Sequence, residues 1–289
     1  MVVNELVKLR PDLRVTIRST TPHAILQQRF ECEFHHIPLA LDFGMKMLNA
    51  IDVEVEESAA AYRQFHRDWP ARVAWESSAI SELKPDLLLA NVPYLSLAAA
   101  RVAKVRSVGM CSLNWADIYQ YYCVKDASSR AIHSQMLEAY SSAEHFLKVQ
   151  PAMEMSNLDN TRNIGPVARI GRSQRLSLAS VCNVVEGEKL VLLAMGGMEF
   201  CLPVQSWPRI PGVHWIVPHS WDVNREDVTA LELLPFHFTD VLASCDAIIT
   251  KPGYGIFTEA ACAGVPVLYV TRQDWPEEPA LTTPGHVAL

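Results

Sequence analysis

The sequence predicts an α/β protein of two Rossmann-like domains built on parallel sheets, and three observations carry that prediction. Short apolar segments of strand character alternate with longer stretches of helical period in both halves of the chain, the pattern of βαβ units. Between the halves, from Gln150 to Gln174, this lapses into Pro151, Asn157, Asn160, Asn163, Gly165-Pro166 and Gly171, a turn-rich stretch with little apolar period. The length, 289 residues, is long for one core and ample for two. The expected organisation is a first domain over residues 1–150, a linker over 151–175 and a second domain over 176–289, the domains facing each other across a cleft.

In the first half, Asn4 to Arg10 reads as a helix that runs directly into the strand Val15-Thr-Ile-Arg18. A nucleotide-type domain opens with a strand and a glycine-rich turn ahead of that helix. The first domain is therefore expected to lack both, or to be built differently. Helical period covers Ser58 to Leu83, with a break or kink at Trp69-Pro70, and Lys84-Pro-Asp ends it because the residue before proline is pushed out of the helical region. A strand at Asp86-Leu-Leu-Leu-Ala90, a helix over Tyr94 to Lys104 and a strand at Ser107-Val-Gly-Met-Cys111 follow. Beyond the linker, strands are predicted at Lys189 to Ala194, Val213 to Val217, Ala247 to Thr250 and Val265 to Val270.

Composition excludes several classes of function. Hydrophobic residues make up 49% and charged residues 20%, as in a soluble globular protein. A net charge of −7 argues against binding to nucleic acid or an acidic membrane, both of which need clustered Lys and Arg. The acidic run Glu54-Val-Glu-Glu57 reads as the solvated face of a helix. The seven cysteines form no CxxC pair and read as core residues in a reducing compartment. No signal pattern and no window near the ~18 apolar residues of a membrane span appears. A cytoplasmic location is expected. HxxxH, HExxH and clustered Cys/His spacings are absent, so no metal is expected, and no Gly-x-x-x-x-Gly-Lys-Ser/Thr loop occurs.

The segment richest in chemistry is Cys245-Asp-Ala-Ile-Ile-Thr-Lys-Pro-Gly-Tyr-Gly-Ile-Phe-Thr-Glu-Ala-Ala-Cys-Ala-Gly264. A strand ends at Thr250, Gly253 and Gly255 permit a tight turn, and a helix is predicted from about Ile256, with Thr258 and Glu259 in its first turn. Such a start offers backbone N–H groups and a favourable dipole to a diphosphate. Thr258 can add a hydroxyl donor and Glu259 can accept from ribose hydroxyls; alternatively Glu259 complements the helix dipole and the glycines only make the turn. Gly196 and Gly197, after the first strand of the second half, either let a phosphate approach or end the strand. Phe236 and Phe238 either contact a nucleobase or belong to the core. In the first half, Asn114, Trp115 and Asp117 sit just past a strand at the sheet's carboxyl edge, where they bind sugar or, alternatively, cap and staple the following helix.

These residues carry a resemblance. Phe236 to Val270 resembles the donor-binding half of GT-B glycosyltransferases, and is similar to peptidoglycan N-acetylglucosaminyltransferase in its aspartate, short strand, glycine turn and Thr-Glu helix. The resemblance is closer to the glycosyltransferase-like N-terminal region of L-arabinokinases and their bacterial relatives. Their Lys-x-Gly-Tyr-Gly-x-x-x-Glu-Ala core and Arg-x-x-x-x-Glu-Glu-Pro segment match Lys251-Pro-Gly-Tyr-Gly-Ile-Phe-Thr-Glu-Ala260 and Arg272-Gln-Asp-Trp-Pro-Glu-Glu-Pro279. It extends more weakly over Asp86 to Pro93 and Ser112 to Tyr119.

The resemblance implies a GT-B fold, with Gly253, Gly255 and Thr258 near the donor phosphates, Glu259 on the ribose, and Glu277 and Glu278 near the donor sugar. The family's Asp-His-Gln is absent at the last two positions, which leaves the sugar open. The implied activity is hexosyl or N-acetylhexosaminyl transfer from a nucleoside-diphosphate sugar, a UDP sugar in the first instance, to an unidentified acceptor, the nucleotide sugar being substrate and no cofactor being required. The alternative is a catalytically inactive nucleotide-sugar binding or regulatory domain. A nucleotide-sugar epimerase shares the architecture but needs an acid pair that the sequence does not reveal. Inverting transfer needs a general base, and the only histidine pair, His35-His36, reads as structural. The kinase half of the arabinokinases is absent, so no sugar kinase activity is implied.

Overall fold

The computed structural model describes residues 1–49, 51–196, 201–272 and 274–282. The chain divides into two compact units, one formed by Met1–Lys46 with Glu54–Val167, the other by Met47–Val53 with Ala168–Leu289.

The first unit runs α1 (Val2–Leu9), β1 (Val15–Arg18), α2 (His23–Arg29), β2 (Phe34–Ile37), α3 (Val55–His66), α4 (Trp69–Leu83), β3 (Leu87–Ala90), α5 (Tyr94–Ala103), β4 (Arg106–Cys111), α6 (Trp115–Cys123), α7 (Ala127–Ser141), β5 (His145–Val149) and β6 (Thr161–Ile164). All its strand pairs are parallel, β1 with β2 and, separately, the row β3-β4-β5-β6. The helical stretch breaks between α3 and α4, and Pro70 sits in the first turn of α4, where its missing N–H costs nothing. Fully buried Tyr62, Tyr94, Tyr119, Tyr140 and Phe146 give this core an aromatic character. Glu76 on α4 is fully buried and bound by both terminal nitrogens of Arg18 on β1. That pairing is what makes a buried carboxylate tolerable.

Two features differ from the sequence expectation. The stretch read as linker contains β6, which pairs with β5; its residues Thr-Arg-Asn-Ile lack an apolar run because the strand lies at the sheet's edge. His35 and His36 lie within β2 rather than after a strand, and the His36 ring meets the Ser19 carbonyl at 2.8 Å.

The second unit carries α8 (Arg175–Val181), β7 (Lys189–Ala194), β8 (Val213–Val217), β9 (Val228–Ala230), α9 (Phe238–Ser244), β10 (Ala247–Thr250), α10 (Tyr254–Ala263), β11 (Val267–Tyr269) and α11 (Glu278–Thr282). Its five strands are parallel in the order β11-β10-β7-β8-β9. Leu190, Leu192, Ile216, Val241, Leu242 and Ile248 pack the core beneath α8, α9 and α10. The apolar runs at β7, β8 and β10 reflect burial on both faces of a parallel sheet. Among the described residues no helix is long and apolar enough to cross a membrane.

Candidate functional site

In the second unit the chain proceeds from β7 through β8 to β9 on one side, then returns to β10 and continues outward to β11. The direction of winding reverses between β7 and β10, and in open α/β sheets ligands bind beyond the carboxyl ends of the strands at that reversal. The two strand ends lie side by side, with Ala194 paired in register with Thr250. The fully buried Thr250 hydroxyl donates to the Ala194 carbonyl at 2.6 Å.

Three loop features converge at this point. Gly196 takes φ +79°, a backbone conformation that favours glycine, and a Cβ there would lie 3.7 Å from Cε of Lys251. Lys251 follows β10, half-buried, and its pKa is lowered by burial and then by the neighbouring Arg272, against the opposing pull of Glu277. Gly253 is the N-cap of α10, and no side chain caps this helix. Among the described residues, and apart from their own chain neighbours and helix backbone, no atom comes within 4 Å of where a Cβ on Gly253 or Gly255 would stand, and neither needs a left-handed φ. Their smallness therefore serves neither backbone conformation nor internal packing. It leaves open space beside the first turn, where the N–H groups of Gly255 and Ile256 have no helical carbonyl four residues back.

The helix starts two residues earlier than the sequence suggests, at Tyr254 rather than Ile256. Glu259 thus falls in the second turn, half-buried, away from the positions where a carboxylate best complements the dipole. Thr258 is buried, and its hydroxyl donates to the carbonyls of Tyr254 at 2.8 Å and Gly255 at 3.0 Å, so this group serves the helix itself. Phe238 opens α9 and packs with Phe236 against the core. Gly197 lies outside the described residues.

Glu277 and Glu278 are both buried and face the loop ahead of α11. Glu278 accepts the Arg272 N–H at 2.6 Å, and Glu277 accepts the Trp275 indole N–H at 3.2 Å. The Arg272 guanidinium lies 4.0 Å from the centre of the Trp275 ring and donates through Nε to the Ile51 carbonyl at 3.3 Å. Burial raises the pKa of Glu278. This cluster brings Arg272 and Glu277 within electrostatic reach of Lys251.

In the first unit, Asn114, fully buried, caps α6: its side-chain oxygen accepts the Asp117 N–H at 2.8 Å and its amide donates to Asp117 Oδ2 at 2.8 Å. The Trp115 N–H donates to the Tyr140 hydroxyl at 3.1 Å, and its indole N–H donates to Asp42 Oδ2 at 2.8 Å. Asn114 and Asp117 thus take the capping role, one of the two readings open from sequence. Asp42 went unnoticed in the sequence, and Lys251, although it opens the Lys-Pro-Gly-Tyr-Gly motif, had no role assigned to it. Asp42 is half-buried beside Tyr62 and Tyr140, and burial raises its pKa against the opposing effect of the Trp115 hydrogen bond. Only the fold joins it to Trp115, seventy-three residues away.

No protein-family model matches the chain. Among curated proteins, L-arabinokinase of Arabidopsis thaliana is 24% identical over 204 residues, covering 70% of this chain and 20% of that protein. The chain therefore spans about a fifth of the length of this curated relative. Among solved structures, the glycotransferase of kitacinnamycin superposes with a TM-score of 0.63 at 17% identity, over 99% of this chain and 80% of that one. The calicheamicin glycosyltransferase CalG4 gives 0.58 at 16% identity, over 100% and 85%. UGT89C1 of Arabidopsis thaliana, solved in complex with UDP, gives 0.58 at 12%, over 93% and 75%. These likenesses establish a GT-B glycosyltransferase fold with two Rossmann-like domains.

Proposed function

We propose that this chain binds a nucleoside-diphosphate sugar at the winding reversal of its second unit and transfers the sugar to an acceptor hydroxyl. The observation that carries this reading is the open space beside Gly253 and Gly255, at the uncapped start of α10 and next to Lys251. Backbone N–H groups, a helix dipole and a cation directed to one spot suit a diphosphate. That UGT89C1 was solved with UDP supports uridine as the first nucleoside to test.

In the proposed reaction the acceptor hydroxyl loses its proton to a general base while its oxygen bonds to the anomeric carbon. The bond from that carbon to the diphosphate breaks, and the nucleoside diphosphate leaves with the electron pair. Its charge is held by the α10 N–H groups and Lys251. Glu259 is proposed to accept from the ribose hydroxyls, each charge-assisted bond contributing about 1.5–3 kcal/mol. Glu259→Ala should then weaken UDP binding about ten-fold or more in calorimetric titration, and equal affinities for the two proteins would remove the ribose role.

A second reading, binding without transfer, is favoured by the use of Asn114 and Asp117 as caps. UDP release from a UDP sugar offered with a panel of hydroxyl acceptors supports transfer. Binding of the intact UDP sugar with no release supports the second reading.

A further inference from the structure

Between α3 and α7 of the first unit lies an open surface depression of about 250 Å³ lined by Arg63, Arg67, His66, Gln135 and Ser128 together with Ala131 and Ile132. Its polar groups are chiefly donors. Arg63 and Arg67, one turn apart, make no ion pair or hydrogen bond with any described residue. The carboxylates around them are engaged or solvated: Glu56 is held by Lys125 at 2.9 Å, Asp126 accepts the Ser129 N–H at 2.7 Å, and Asp68 is exposed.

His66 fixes the orientation of Gln135. The ring is buried, stacked on Trp69 at 4.8 Å and on Tyr94 at 5.7 Å, and burial pushes its pKa down to about 4. At neutral pH it is uncharged and carries one N–H. The contact of Nδ1 with Gln135 Oε1, at 2.7 Å, requires that proton on Nδ1, so the Tyr94 hydroxyl donates to Nε2 at 2.9 Å. With its oxygen committed to His66, Gln135 is left with its NH₂ donors unengaged by any described residue.

The topology puts this depression on the side of the unit where ligands bind. α4 runs back to the start of β3 and α7 to the start of β5, so the first turn of each lies toward the carboxyl ends of the strands. Arg67 is the C-cap of α3, two residues before α4, and Ser128 is in the first turn of α7.

We propose that this depression binds the oxyanion group, a phosphate monoester or a carboxylate, of a small molecule, with the Arg63 and Arg67 guanidinium groups and the Gln135 amide as its donors. That the small molecule is the sugar acceptor rests on the transfer reading above; the binding itself does not.

The test is calorimetric titration of the full chain with glucose 6-phosphate, glucuronate and glucose, with UDP as a separate titrant, on the wild type and on Arg63→Gln/Arg67→Gln. Both arginines are exposed, so the variant should fold, and its melting temperature is measured alongside. Binding of either anionic sugar but not of glucose, weakened ~ten-fold or more in the variant while UDP affinity is unchanged, supports the site and tells phosphate from carboxylate. The same result with no UDP binding to the wild type supports the site while removing the donor reading. No binding of either anion, affinity equal in wild type and variant, or loss of UDP and sugar phosphate together as on a nonspecific cationic surface, each overturns the proposal.

Discussion

Thr250 and Ala194 are tied by a hydrogen bond of 2.6 Å from the Thr250 hydroxyl to the Ala194 carbonyl, which locks together the carboxyl ends of β10 and β7 where the second sheet reverses its winding. Both the Gly196 turn and the Lys251 loop start from this clasp. Thr250→Val keeps the shape and removes the donor from a fully buried position. It should cost about 1–3 kcal/mol in urea unfolding, with UDP affinity falling because the two loops lose their common anchor. Unchanged stability would show that the clasp is incidental.

Gly255 lies in the first turn of α10, with open space beside it. Gly255→Ala should raise stability by roughly 0.5–1 kcal/mol, since glycine is a poor helix former, and should lower UDP affinity. A gain in both would mean that no ligand approaches this turn.

Much of this architecture was legible because parallel strands buried on both faces are written as uninterrupted apolar runs. Lys189–Ala194, Val213–Val217 and Ala247–Thr250 have the predicted bounds. The edge strands β6 and β9 lack that signal, whereas β3 and β11, also at sheet edges, keep it. The start of α10 was misjudged because two glycines were taken for turn residues, whereas Gly255 is helical and Gly253 extended. Asp42 is a single carboxylate in an irregular loop that only its contact with Trp115 distinguishes. Lys251 belongs to the Lys-Pro-Gly-Tyr-Gly motif, but its place at the site shows only through its nearness to Gly196, Arg272 and Glu277.

Asp42 supplies a pH-dependent prediction. Its folded pKa lies above the ordinary aspartate value of 3.8 because of burial. Across the window just above that value the native state binds more protons than the unfolded state, so this group's contribution to stability falls as pH rises. Asp42→Asn keeps an acceptor for the Trp115 indole and removes that loss. Its stability should match or exceed the wild type at pH 7, the difference fading as pH drops below about 4. Urea unfolding of both proteins between pH 4 and 7 checks this, and parallel profiles would contradict it.

His66 titrates in the other direction. Its folded pKa, about 4, lies below the ordinary 6.5, so the unfolded chain takes up a proton first and stability should fall as pH drops from 6.5 toward 4. The loss is on the order of 3 kcal/mol over that window. Equilibrium unfolding of wild type and His66→Phe between pH 4 and 7 checks this, the variant showing a flatter profile. Parallel profiles would assign the dependence to other groups.

Gly44 carries φ +62°, and a Cβ there would stand 2.7 Å from the Trp115 ring. Gly44→Ala should therefore destabilise the first unit by more than ~1 kcal/mol in thermal or urea unfolding. A neutral substitution would mean that the Trp115 ring shifts freely and does not hold Asp42 in place.

The account rests on a diphosphate site at the start of α10, and calorimetric titration with UDP of the wild type, Lys251→Met and Gly253→Val tests it most directly. Gly253 is extended at φ −174°, a conformation valine adopts, and no described residue outside its chain neighbours comes within 4 Å of a Cβ placed there, so the larger side chain projects into the proposed ligand space. UDP should bind the wild type, and each variant should lose affinity about ten-fold or more at an unchanged melting temperature. Absence of UDP binding to the wild type, or equal affinity in all three proteins, would contradict it.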